Sequence, residues 1–383
     1  MADDLHHART ALAKVDRAGP LDDVVRLLDD LENTVKQVRT GGALDGGAKG
    51  HGPQGVFRTA GQARMTDGRP APVRTRVTEL LGIDYPIVQA PMGWIARSAL
   101  ASAVSNAGAF GIIETSSGEL DVIRHEIRAM RALTDRPFGV NIAQAFVRDL
   151  AVVEFVVEFV AEQGVRFVTT SAGDPTKYTA QLKAAGLTVF HVVPTLAAAL
   201  KAVDAGVDGL VVEGGEGGGF KNPRDVASMV LLPLVASKVD VPIIAAGGIT
   251  DGVSMAAAFA LGAEGVQMGT RMVSAVESPV HDHWKQAIVA AAETDTVFLN
   301  RFGRPGLRAL RTERTIRLER EELVSMAEFG NATDLYFGGD MEASIALTGQ
   351  VAGRIDAVRP VRDIIDSTID EFRQRCRELA AHG

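Results

Sequence analysis

Cysteine is almost missing from this sequence: Cys376 stands alone among 383 residues. No intrachain disulfide can form, and a reducing compartment is the natural setting for such a chain. Cys376 lies in "EFRQRCREL", a charged helical pattern with no histidine beside it, so it reads as structural rather than nucleophilic. Long apolar runs are missing too. No stretch supplies the roughly 18 uncharged residues of a membrane span, and "MADDLHHARTALAKVDRAG" lacks the apolar centre of a secretory signal. These absences predict a cytoplasmic protein with no membrane partner. Excess positive charge is absent as well. A net charge of -8 and a pI near 5.6 predict no nucleic-acid footprint. Nor do the eight histidines form HExxH or any Cys/His set, so no metal site is expected. His281 and His283, flanking Asp282 in "SPVHDHW", read as the start of a helix. The GxSxG elbow of a serine nucleophile and the phosphate loop GxxxxGK[ST] do not occur either.

What is present is ordinary in bulk and informative in order. At 46% hydrophobic and 23% charged, the chain can build a sizeable core. Residues 1–75 read as an N-terminal extension. Leu21, Val24, Leu27, Leu28, Leu31 and Val35 recur at helical spacing, predicting an amphipathic helix over 20–38 that docks on the body or on a second subunit. That helix leaves a homo-oligomer open. Residues 40–75, with "TGGALDGGAKGHGPQG" and "DGRPAPVR", have the composition of a flexible linker.

From residue 76 a new rhythm begins. Short apolar runs stand at 85–92, 110–116, 137–142, 165–173, 187–194, 207–215, 241–248 and 265–272, with helical patterns such as "RSALASAVSNAG" and "GVSMAAAFALGA" between them. Near-continuous apolar strands alternating with helices signal parallel strands buried on both faces. Eight such units predict an α/β fold of the TIM (β/α)8 barrel type over residues 76–300. A doubly wound open sheet is the alternative. Residues 301–383 are expected to add helices that pack on the barrel.

In such a barrel the loops after the strands form the active site. The first strand leads into "APMGW" (90–94), the third carries Asn141, and the fifth carries His191 near its end. The sixth runs into "EGGEGGGFK" (213–221), the seventh into "AGGITDG" (246–252) and the eighth into "MGTR" (268–271). Glycine lets backbone N–H groups approach an anion with no Cβ in the way. Three consecutive glycine-rich turns therefore point to a bound phosphate, and the apolar "APMGW" turn beside them to a flat phosphorylated cofactor. FMN is the leading candidate, rather than FAD.

"PIVQAPMGW", "SNAGAFGII", "PFGVNI", "EGGEGGG", "PIIAAGGITDG" and "LGAEGVQMGTRM" resemble, in order, signature segments of the nitronate monooxygenase (2-nitropropane dioxygenase) family. That family also takes in FMN-dependent enoyl-thioester reductases and NADH:quinone reductases. The likeness covers roughly residues 76–300, with "LTGQVAGRIDAVRPVRDII" similar to the family's C-terminal segment. It implies an FMN phosphate on Gly247, Gly248, Gly269 and Thr270. Pro91, Met92 and Gly93 would run beside the isoalloxazine, and Asn141, Glu213, Gly218 and Gly219 would line the rest.

Phe220 departs from the family pattern, whose glycine stretch ends in the histidine that removes a carbon-bound proton from nitroalkanes. Phenylalanine takes no proton, so Phe220 is expected to form an apolar wall at the catalytic position. His191 is then the best substitute base. Val192 stands where some members place a lysine. The resemblance implies an FMN-dependent oxidoreductase that oxidises alkyl nitronates with O2, acting on a small-molecule substrate. Two alternatives stand beside it: an NAD(P)H-dependent reductase of an enoyl-thioester or quinone, and a flavin-binding assembly protein without catalysis.

Overall fold

The computed structural model describes Met65 and residues 68–117, 120–146, 163–321 and 323–382. The helix expected over 20–38 and most of the linker lie outside the described residues. Eight short strands, each too apolar to face water on either side, form one parallel sheet. They are β1 (Ile87–Gln89), β2 (Gly111–Ile113), β3 (Phe138–Ala143), β4 (Phe167–Ser171), β5 (Thr188–Val193), β6 (Gly209–Glu213), β8 (Ile243–Ala246) and β9 (Gly265–Met268). Their order is β1-β9-β8-β6-β5-β4-β3-β2. The ends meet: Phe110 N–H donates to the Ile87 carbonyl at 2.9 Å and Gln89 N–H to the Phe110 carbonyl at 2.9 Å. The barrel is thereby closed, in the arrangement that the apolar runs predict.

Ten residues fill its interior, among them Phe110, Phe167 and Phe190. The rings of Phe110 and Phe167 meet edge to face at 5.0 Å, and those of Phe167 and Phe190 lie 5.2 Å apart. Small residues face them. A Cβ on Gly139 would come within 2.8 Å of the Phe167 ring, and one on Gly209 would overlap Phe190. Helix α1 (Arg76–Leu81) caps the amino end of the barrel, burying Val77 and Leu81. A reciprocal Thr75–Thr78 capping box starts it.

The outer helices follow from the same patterning. Helices α2 (Ser98–Asn106), α3 (Leu120–Leu133), α4 (Thr179–Ala184), α5 (Leu196–Asp204), α6 (Ser228–Ala236) and α7 (Gly252–Ala260) return the chain between strands. Asp251 and Ser254 form the capping box of α7, and Thr195 caps α5. The connection from β3 to β4 lies largely outside the described residues. Beyond β9 come α8 (Thr270–Val273), α9 (Asp282–Ala290), α10 (Glu313–Leu318), α11 (Ala332–Tyr336) and α12 (Val361–Ala380). His281 is the N-cap of α9, its Nδ1 accepting from His283 N–H at 3.1 Å. Among the described residues, no helix is long and apolar enough to cross a membrane.

The region after β9 is not only helical. Strands β10 (Thr296–Leu299) and β11 (Gly306–Leu310) pair antiparallel, and β11 pairs in turn with β7 (Gly219–Lys221), inside the glycine run. The sequence pattern missed this small sheet because β7 gains its partner from about 90 residues away, and the buried Arg308 disguises "GLRAL" as amphipathic.

Helix α12 lies on α7. Ile364, Ile365, Thr368, Ile369 and Phe372 form its buried stripe, with the half-buried Cys376 continuing it; burial pushes that thiol's pKa up. Phe372 meets Phe259 edge to face at 4.9 Å, and Gly252 N–H donates to Glu371 Oε2 at 2.8 Å. Phe372→Ala should therefore cost about 3–5 kcal/mol. Urea unfolding of the full chain checks this, and a change under about 1 kcal/mol would show that α12 is not seated on α7.

Candidate active site

The carboxyl ends of the strands open into one cavity of about 1010 Å³. Pro91, Met92, Gly93, Asn141, His191, Glu213, Gly218, Gly219, Phe220, Gly247, Gly248, Gly269 and Thr270 all line it. The structure thus brings together every candidate site residue that the sequence singled out.

Each wall is fixed by specific contacts. After β1 the chain turns through Trp94 at φ +67°, a left-handed conformation that a bulky residue adopts only when held there. Glu114, fully buried, holds it: its carboxylate accepts from Trp94 N–H at 3.2 Å, Arg97 Nε at 3.1 Å and Ser117 N–H at 2.9 Å. On β3, Asn141 Nδ2 donates to Thr169 Oγ1 at 2.9 Å. On β9, Gln267 lines the cavity with its Oε1 buried and without a hydrogen-bond partner.

The glycines of the three turns fall into two kinds of position. At Gly218 a Cβ would lie 2.7 Å from the Gly349 backbone nitrogen, and at Gly217 2.6 Å from Lys221 Nζ. Those side chains are given up to the protein itself. At Gly219, Gly248 and Gly269, by contrast, a Cβ would meet no protein atom closer than 3.5 Å. Those three open onto the cavity.

A late segment closes the rim. Gly349 N–H donates to Thr270 Oγ1 at 2.9 Å and Gln350 N–H to the Glu216 carbonyl at 2.9 Å, with Leu347, Gly349 and Val351 facing the cavity. The β10–β11 hairpin is pinned to the same run by Arg308, whose Nε donates to the Gly215 carbonyl at 2.8 Å. Burial lowers the Arg308 pKa.

Phe220 sits on β7 with its ring 5.0 Å from Phe146 and stacked 6.0 Å from Phe329. It also packs on the apolar cluster of Val297, Leu299, Leu307 and Ile345. Its neighbour Lys221, on the opposite face of the strand, forms an ion pair with Glu213 at the end of β6. Lys221 and Glu114 were missed in the sequence; "FK" and "IIET" carry no motif that marks them. At the rim, Lys201 pairs with Asp174 at 2.6 Å, exposed to solvent.

His191 is buried, its Nδ1 2.7 Å from Thr170 Oγ1. Burial pushes its pKa down to about 4, against the raising influences of Asp174 and the Gly173 backbone.

A closed barrel with one glycine-lined cavity at its strand carboxyl ends defines a TIM-barrel protein of the small-ligand-binding class. Within that class the chain belongs to the nitronate monooxygenase family, whose model matches residues 74–371. A (3aS,4S,5R,7aS)-5-hydroxy-7a-methyl-1-oxo-octahydro-1H-indene-4-carboxyl-CoA dehydrogenase of Mycobacterium tuberculosis is 40% identical over 64% of this chain and 69% of its own length. A nitronate monooxygenase of Paraburkholderia phytofirmans is 33% identical over 57% of this chain and 71% of its own. Among solved structures, FabK from Thermotoga maritima superimposes with a TM-score of 0.75 at 39% identity, covering 81% of this chain and all of that one. The relatives are oxidoreductases.

The low His191 pKa carries a sign. Between about pH 6.5 and 4 the unfolded chain binds a proton that the folded chain refuses. Stability contributed at this residue is therefore present above that window and lost as pH falls through it. Long-range ¹H–¹⁵N spectra should show a neutral His191 ring at pH 6, and a ring already protonated there would refute the assignment.

Proposed function

We propose that this protein is an FMN-dependent oxidoreductase that draws on NAD(P)H to reduce the carbon–carbon double bond of an α,β-unsaturated thioester. The observation that carries the reading is Phe220. Nitroalkane chemistry needs a base at that position, and here it is an aromatic wall between Phe146 and Phe329. His191 does not repair the loss, because a ring with a pKa of about 4 is a weak base at neutral pH. Reduction of an alkene requires a hydride and a proton, and tolerates an apolar wall. The relative at 40% identity, a carboxyl-CoA dehydrogenase, supports the thioester class.

The cavity fits the cofactor on three observations. Gly219, Gly248 and Gly269 leave their Cβ space open, the Gln267 Oε1 is buried without a partner, and Thr270 Oγ1, accepting from Gly349, keeps its own proton to donate. Gly247, Gly248, Gly269 and Thr270 would hold the phosphate. Pro91, Met92 and Gly93 would flank the ring system, and Asn141, Glu213, Gly218 and Gly219 the remainder. When bound, FMN supplies two-electron transfer between a nicotinamide donor and a carbon substrate. This chain's residues orient the reactants and exclude water: Phe146, Phe220 and Phe329 form the dry wall, while Glu114 fixes the Trp94 turn.

A second reading, oxidation of alkyl nitronates by O2, is favoured by the family match and the Paraburkholderia relative. A nitronate is already an anion, so no base is required of position 220. Cofactor released by heat should chromatograph as FMN. Anaerobically, NADH or NADPH should bleach the flavin, and crotonyl-CoA or trans-2-dodecenoyl-CoA should restore its colour. Bleaching by nitronates but by neither nicotinamide would establish the second reading instead, and FAD or a colourless protein would defeat both. Gly269→Val should leave the fold intact, its Cβ meeting Ala90 Cβ at an ordinary 3.5 Å, yet weaken FMN binding at least about tenfold, or ~1.4 kcal/mol. Titration of the stripped variant with FMN measures this; unchanged affinity would move the phosphate elsewhere.

A further inference from the structure

We propose that Lys221, held in place by Glu213, delivers the proton that completes alkene reduction in this cavity, a role that rests on the thioester reading above. The geometry begins with strand alternation. On β7, Phe220 points into the aromatic and aliphatic cluster under the β10–β11 hairpin, so Lys221 must point to the other face. There its side chain is only 4% exposed, and its ammonium meets the Glu213 carboxylate, itself 25% exposed. Both side chains line the cavity.

Burying an ammonium is costly, and a buried ion pair is often no more stabilising than apolar residues of the same volume. The local backbone is nevertheless shaped around this one. A Cβ on Gly217 would lie 2.6 Å from Lys221 Nζ and 3.0 Å from Glu213 Oε1, so the glycine leaves space that the pair occupies. The other charged groups on the cavity wall are engaged or remote. Glu216 accepts from Ser228 N–H and Oγ, both at 2.9 Å. Asp225 faces Arg301 and Arg308, Asp174 and Lys201 pair at the rim, and Arg304 is exposed. Lys221 combines burial, three N–H donors and a single carboxylate partner, which leaves two donors for a ligand.

The step balances. A hydride originating on the nicotinamide donor forms a C–H bond at the β-carbon, and the electron pair of the double bond moves to the α-carbon and thioester oxygen. One Lys221 N–H bond then breaks, leaving its electron pair on nitrogen, and a new C–H bond forms at the α-carbon. Water restores the ammonium beside the partly exposed Glu213.

The test uses full-length protein loaded with FMN. In Lys221→Met the bleaching by NAD(P)H should persist, because it needs no substrate proton, whereas reoxidation by crotonyl-CoA should slow by about 10² to 10⁴. Lys221→Arg, which keeps a cation beside Glu213 but does not release its proton, should show the same split if Lys221→Met is unstable. Gly217→Ala keeps every charge, displaces the ammonium, and should slow reoxidation in the same direction. Reoxidation at the wild-type rate in all three would overturn the proposal. A readout independent of turnover is the ¹³C signal of dimethylated Lys221, assigned by its loss in Lys221→Met, which saturating butyryl-CoA should shift. If wild-type protein is not reoxidised by any enoyl thioester, the functional reading falls on its own. The ¹³C signal then decides Lys221 separately: no response to butyryl-CoA overturns its role, and a response sustains the contact.

Discussion

The working end of this molecule depends on how the barrel interior is filled. Eight parallel strands close into a ring only if their inward side chains occupy the enclosed volume without strain. Here three phenylalanines are the largest of the side chains that do so, and strand glycines at 139 and 209 stand where a larger residue would collide with them. Closure is completed by the pair of backbone bonds between the β1 segment and Phe110. With the ring fixed, the carboxyl ends of β1, β3, β5, β6, β8 and β9 converge, and residues nearly 180 positions apart share one cavity. Substituting an interior phenylalanine would disturb that convergence before it touched any residue of the site.

The barrel was legible because its strands are buried on both faces. Such strands must be apolar along their whole length, and eight of them appear as eight runs with helices between. The glycine turns were legible for a related reason, since density of glycine is a local signal. The three-stranded sheet was not. Its central strand carries Arg308 at a buried position, stable only because Gly215 and Asp225 wait for it across the fold. Lys221 was hidden for the same reason. Whether it or Phe220 faces Glu213 depends on strand alternation, and β7 exists only through its pairing with β11.

The run "EGGEGGGFK" therefore answers to several neighbours at once. Gly218 makes way for the backbone at 348–349, Gly217 for the Lys221–Glu213 pair, and Gly219, at φ +82°, opens onto the cavity. Density of glycine here reflects crowding by protein as much as room for a ligand. Charge follows a comparable logic: Glu114, Lys221 and Arg308 are each buried with a stated partner, as desolvation demands.

The rim segment around Gly349 ties the end of the chain to its middle, through Thr270 and Glu216. Synthesis proceeds from the amino terminus, and domains gain structure as they emerge. All eight barrel strands are available once residue 268 has left the ribosome, but the wall formed by Leu347, Gly349 and Val351 is not. A nascent barrel would thus pass through an interval with its glycine-lined mouth open on one side. Any ligand captured then would be held by fewer walls than in the finished protein, so retention of the ligand becomes a property of the completed chain.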